Sequence, residues 1–209
     1  MKSKRHKELP KPTGRPLSFD PHKALDRALD VFWRKGYEGA SLSDLTKAMR
    51  INRPSLYAAF GDKEKLFRKV LDHYGEGPAS HSRAALQEAT SRAVVERLLY
   101  GTADMLTSGG NPQGCLWVQG ALACGNSADS VRKELISRRL AGEAALRQRL
   151  KRAILEGDLP PDANPASLAR YIAIISQGMA VQAASGASRS QLRSIIDIAL
   201  KSWPSRRNT

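Results

Sequence analysis

Apolar residues recur along this chain at three- and four-residue spacing, and the polar residues between them carry helix-start and helix-stop signals. Leu25, Ala28, Leu29 and Phe32 make one apolar stripe. Asp20 stands before it as a cap, and Pro21 holds the first helical position, where its missing N–H costs nothing. Lys35 and Gly36 supply the stop. Ser41, with Asp44 three residues on, opens a second short helix in a capping-box arrangement, with Leu42, Leu45 and Met49 (or Ala48) facing inward. A third element runs from about 53 to 60, with Pro54 in its first turn, Leu56 and Phe60 four apart, and Gly61 as its breaker. Asp62 caps a fourth helix bearing Leu66, Phe67, Val70 and Leu71, which runs past Tyr74 into Gly75, Gly77 and Pro78.

Beyond residue 78 the pattern stays helical, and no convincing strand alternation occurs. Helices are expected over about 93–107, 115–124 and 129–156. Asn164-Pro165 caps one that reaches about 184, and Ser188 with Gln191 caps the last, which Pro204 closes. The sequence therefore predicts an all-α chain of about nine helices. Residues 1–18, basic and carrying Pro10, Pro12 and Pro16, read as an arm too polar to pack.

Charge changes this picture more than composition does. Hydrophobic residues make up 41%, an ordinary globular share, but net charge is +14. Residues 1–75 carry 17 basic and 9 acidic side chains, so the excess is densest in the first third. A polyanion is the simplest partner for such a surface, because lysines and arginines that neutralise phosphates release condensed counterions. A basic solvated face and an anionic membrane are the rivals. No segment is long and apolar enough to span a bilayer, and no apolar signal core follows the basic N-terminus, so a cytoplasmic location is expected.

The two cysteines, Cys115 and Cys124, would lie on opposite faces of a shared helix about 13 Å apart, which suits neither a disulfide nor a metal site. Glycine-rich phosphate loops, nucleophile elbows and metal-spaced histidines are missing from the sequence. The four histidines, His6, His22, His73 and His81, are scattered. No enzymatic activity, cofactor or metal is expected.

Residues 41–60 have what a helix-turn-helix needs: two short helices, a tight turn, and an outer face small enough to enter the major groove. Leu42, Leu45, Ile51, Leu56 and Phe60 would pack inward. Asn52, Arg53, Ser55, Tyr57, Ala58 and Ala59 would face out, and Tyr57 and Lys63 are long enough to reach flanking phosphates. Each has a plainer reading. Tyr57 could be a core aromatic, Ser41 a simple cap and Lys63 an ordinary first-turn lysine; Arg15 could enter the minor groove or stay solvated.

Three linked stretches make the reading specific. Gly14-Arg-Pro16, Ala28-Leu-Asp-Val-Phe-Trp-Arg-Lys-Gly-Tyr-Glu-Gly-Ala-Ser-Leu42 and Ser55-Leu-Tyr-Ala-Ala-Phe-Gly-Asp-Lys-Glu-Lys-Leu-Phe67 resemble the N-terminal domain of the TetR/AcrR family of bacterial transcriptional regulators. The resemblance implies a three-helix DNA-binding domain with a helix-turn-helix over 19–77, followed by a helical effector-binding and dimerisation domain over 78–209. It implies a homodimer, joined through the last two helices, on a near-palindromic operator, with a small-molecule effector. Repression is expected from mechanism: a dimer on an operator can block polymerase, and an effector that separates the two reading heads would release it. Recognition contacts would fall on Pro54, Ser55, Tyr57 and Ala58, with Asn52 and Arg53 just before them. Phosphate contacts would fall on Ser41, Ser43, Tyr57 and Lys63. Ala58 and Ala59 depart from the bulkier residues some members carry.

Tyr100, Met105, Trp117, Gln119, Tyr171 and Gln177 are candidate pocket liners, being large or polar within apolar helices. Two other readings stay open. One is a redox- or electrophile-sensing regulator acting through Cys115 or Cys124, and the other a basic helical adaptor without sequence-specific DNA binding.

Overall fold

Each helix at the N-terminal end starts on a side chain that accepts from the helix's own exposed N–H groups. In α1 (Pro21–Gly39) Asp20 Oδ1 accepts from His22 N at 2.9 Å and Lys23 N at 3.3 Å. Ser41 and Asp44 cap α2 (Leu42–Met49) reciprocally, Asn52 caps α3 (Arg53–Phe60) and Asp62 caps α4 (Lys63–Glu76). These are the starts that the sequence predicts. The computed structural model describes residues 19–122 and 128–204. Arg15, the arm and Cys124 lie outside the described residues.

Gly36 does more than stop α1. Its φ of 70° and ψ of 177° lie in a region that only glycine occupies at low cost, so the chain kinks there and makes a further turn to Gly39. That turn swings Tyr37 back over Phe32 and Phe67, with ring centroids 6.3 and 5.1 Å apart. Ala24, Ala28, Leu29, Phe32 and Trp33 are buried in one core with Leu45 of α2, Leu56 of α3 and Leu66, Phe67, Val70 and Leu71 of α4.

The C-terminal body is built from α5 (His81–Ala85), α6 (Ser91–Thr107), α7 (Leu116–Leu122), α8 (Asp129–Leu155), α9 (Pro165–Ala184) and α10 (Arg189–Lys201). Ten helices and no strand occur among the described residues, one helix more than expected. The extra one is α5. It has five residues and no side-chain cap, too little for a periodic signal. A Cβ at Gly101 would stand 2.8 Å from the His81 ring, so glycine is what lets α5 lie this close on α6.

Within the body α8 packs on α7 and α9, and α6 packs on α5, α9 and α10. Arg149 of α8 is buried and its Nη2 donates to the Glu88 and Ala89 carbonyls, at 2.8 and 2.9 Å, fixing the turn that leads into α6. Head and body meet along α1–α7 and through polar pairs between α4 and α8, including Arg138 with Asp72 at 2.7 Å and Arg68 with Glu134 at 3.4 Å.

Candidate nucleic-acid interface

The α2–turn–α3 unit is held from behind. Leu45, Met49, Leu56 and Phe60 are buried, and Arg27 of α1 donates to the Met49 carbonyl at the end of α2, at 3.3 Å. In the turn, Arg50 takes the left-handed conformation, φ 58° and ψ 43°, where glycine is usual, and its N–H donates to the Lys47 carbonyl. Neither Arg27 nor Arg50 was legible as part of the motif, because a long charged side chain on an exposed stretch carries no distinguishing pattern.

On the opposite side Asn52, Arg53, Pro54, Tyr57 and Ala58 are exposed, with Ser55 and Ala59 half-buried. Tyr57 is 49% exposed, which removes it from the core. Asn52 has a scaffold role besides its position: its Oδ1 accepts from Ser55 N at 2.8 Å, leaving the side-chain NH₂ as the free end. Ser43 is exposed in the first turn of α2.

Ser41 and Lys63 are more committed than the sequence suggests. The Ser41 hydroxyl donates to Asp44 Oδ2 at 2.8 Å and accepts from Asp44 N at 3.0 Å. Lys35 Nζ lies 2.8 Å from the other Asp44 oxygen, and with Ser41 it holds the Asp44 pKa down to about 2. Lys63 is half-buried, with its Nζ 4.6 Å from the centre of the Tyr37 ring; burial lowers its pKa, opposed by the charge of Glu38.

A second site lies in the body. A cavity of about 380 Å³ is walled by the end of α4 and by α5 to α9. Of the six candidate liners, Met105, Trp117 and Gln177 lie on its wall. Tyr100, Gln119 and Tyr171 do not. The Tyr100 hydroxyl donates to Asp197 at the surface, Gln119 lines a separate cleft beside Trp33 and Pro112, and Tyr171 is exposed near Ser202. Their helices are apolar on more than one side, so composition could not fix which residues turn inward. Residues missed at the sequence level include His81, Arg138, Arg139, Glu143 and Ser176.

The cavity touches the head through aromatic rings. Tyr74 packs edge-on against Trp117 at 5.2 Å and against Trp33 of α1 at 4.8 Å, and Trp33 Nε1 donates to the Gly114 carbonyl at 3.0 Å. The Tyr74 hydroxyl donates to Met105 Sδ and Cys115 Sγ, at 3.3 and 3.4 Å. Burial pushes the Cys115 thiol up, and it pushes His81 below the usual imidazole range.

On the outside of α9 and α10, Tyr171, Ile174, Val181, Ile195 and Ile198 are exposed, Ile174 and Ile198 by more than 60%. No helix is long and apolar enough to cross a membrane, and no three His, Cys, Asp or Glu side chains gather as metal ligands, among the described residues.

Residues 24–70 match the family model for bacterial regulatory proteins of the tetR family, and residues 92–198 match that for a tetracyclin repressor-like C-terminal domain. The HTH-type transcriptional repressor ComR of Escherichia coli strain K12 is 35% identical over 196 residues, covering 93% of each chain. A cysteine mutant of the regulator CifR, solved with 26-base-pair operator DNA, is 42% identical with a TM-score of 0.87, over 91% of this chain and all of that one. A TetR regulator from a Rhodococcus species is 38% identical with a TM-score of 0.57, over 87% of this chain and 98% of that one.

Proposed function

The chain belongs to the TetR family of bacterial regulators, and from that premise we propose that it is a transcriptional repressor which binds a near-palindromic operator as a homodimer and leaves it when a small effector fills the body cavity. The observation that carries this reading is the outward face of α3. Arg53, Pro54, Tyr57 and Ala58 stand exposed while Leu56 and Phe60 are buried and α3 packs on α2 and α4. That is the division between reading surface and scaffold that major-groove docking requires. CifR, a relative of similar length and shape, is described with operator DNA.

Arg53, Ser55 and the Asn52 amide are the base-reading candidates, because all have donors near the N-terminal end of α3. Pro54 and Ala58 contribute shape and methyl contacts. Ser41, Ser43, Tyr57 and Lys63 are assigned to phosphates. Lys63 would have to leave the Tyr37 ring, and the α2 N-terminus itself offers N–H groups to an anion beside Ser43.

Pairing through α9 and α10 is supported by the five large apolar side chains that these two helices leave exposed. For release, Tyr74 and Trp117 form a shared wall: a body entering the cavity presses on rings that touch Trp33 of the head. For Cys115 the thiol-sensing alternative is disfavoured, because burial pushes its thiol up and so suppresses the thiolate that such chemistry needs; Cys124 lies outside the described residues.

Selection of binding sites from random duplexes with the purified chain tests the reading. The expected result is enrichment of an inverted repeat, bound with a steep salt dependence. Tyr57→Phe and Lys63→Ala should weaken all duplexes alike, whereas Arg53→Ala and Ser55→Ala should alter the preference among them. Failure to enrich any sequence, with binding that disappears uniformly in salt, would leave only a basic adaptor.

A further inference from the structure

Three polar atoms without a hydrogen-bond partner in the protein belong to side chains that line the body cavity. They are Trp117 Nε1 from α7, Arg139 Nε from α8 and Ser176 Oγ from α9, all shielded from solvent. Two are obligate donors and the third, a hydroxyl, has a proton to give. Buried donors left unmet cost stability, so a cavity that gathers three of them is matched to a guest rich in acceptors.

The charges around the cavity point the same way. Arg138 is neutralised by Asp72 and Glu134, and Glu143, the carboxylate in the lining, is held by Arg170 Nε at 2.8 Å. Arg139 has no carboxylate within ion-pair distance among the described residues; its Nη1 donates to the neutral Gln177 Oε1 at 3.2 Å. The same holds for Arg83, exposed on another wall. The uncompensated charge of the lining is therefore positive. Apart from His81, Ser82 and Thr102, the remaining walls are apolar, among them Leu98, Met105, Leu146 and Ile172, and the volume of about 380 Å³ suits a molecule with a hydrocarbon body.

We propose that the cavity binds a small organic monocarboxylate with an apolar body, its carboxylate held by Arg139 and offered further donors by Ser176 and Trp117. The tail lies among the aliphatic side chains. The proposal rests on the reading of the chain as an effector-released repressor and names the chemical class of that effector. A cationic or neutral guest would leave the Arg139 charge unanswered.

Titration calorimetry on the full chain with octanoate, octanamide and octylamine is the test. Octanoate should bind about tenfold or more tighter than octanamide, with octylamine weakest, as expected for one charge-assisted contact in a shielded site. Arg139→Met should lower octanoate affinity about tenfold, to the level of octanamide, while leaving octanamide itself unchanged. Arg139→Gln provides a second variant should the methionine one misfold, and helical circular dichroism with operator binding confirms that either is folded.

Equal affinity for the three probes, an Arg139 variant that keeps full octanoate affinity, or no saturable octanoate binding would overturn the proposal. In the last case, intact operator binding would show that the ligand class fails while the repressor reading stands. Octanoate bound with the stated preference by a chain that selects no operator would support the cavity assignment and sink the repressor reading instead.

Discussion

Head and body are closed in different ways. Helices α1 to α4 each start on a side-chain cap, and their core is packed from buried Phe32, Phe67, Leu45 and Leu66 with aromatic edges touching. In the body, α6, α9 and α10 are capped in the same way, but α5 and α8 start without a side-chain cap, and with α6, α7 and α9 they surround a cavity lined by side chains whose donors the protein does not satisfy. The head is specified by local signals repeated at every helix. The body's walls are held mainly by contact with one another, so they have more to gain from a guest. A reading surface needs a fixed shape, and a sensor needs one that can change.

The largest expected break in this contrast comes from core truncation. Phe32→Ala should lower unfolding free energy by about 3–5 kcal/mol in urea titrations and abolish operator binding with it. Leu98→Ala, on the cavity wall where space already exists, should cost no more than about half as much. Equal costs would mean that the two cores are equally tight.

Tyr57→Ala should weaken operator binding by about 1–2 kcal/mol, read by fluorescence anisotropy, without moving the unfolding midpoint. A fall in stability would place the ring in a structural role instead. Asn52→Ala removes the α3 cap and should cost about 1 kcal/mol of stability, a direct measure of how far the head depends on local capping.

The smallest effect is a pH dependence. Asp44 has a folded pKa of about 2, below its ordinary 3.8, so its contribution to stability is present above that ordinary value and is lost as pH falls from 3.8 towards 2. Asp44→Asn should flatten this part of the urea-midpoint profile. An unchanged profile would show that the Lys35–Ser41–Asp44 cluster does nothing for the head.

The same contrast explains what the sequence made legible. Caps at Asp20, Ser41, Asn164 and Ser188 are written in adjacent residues, so the helix starts they predict are the ones found. The third helix reads outward as expected because Leu56 and Phe60 fix its rotation. The cavity follows instead from how α6, α7, α8 and α9 turn about their axes. Met105, Trp117 and Gln177 face it while Tyr100, Gln119 and Tyr171 turn away, a choice made by contacts across the body and not by any local pattern. Arg139 was invisible for a related reason. It sits in the long charged helix α8, next to Arg138, and only the partners reached in space separate the neutralised guanidinium from the unanswered one.

The run of rings from Trp117 through Tyr74 to Trp33 has an optical consequence. The chain has three tryptophans, and two of them flank one buried tyrosine while Trp203 lies at the end of the described chain, near Ser91. Replacing Trp203 by phenylalanine would leave a molecule whose entire indole emission arises along the path between cavity and head. Changes in its colour and lifetime would then report on the packing of those rings in real time, with no dye attached.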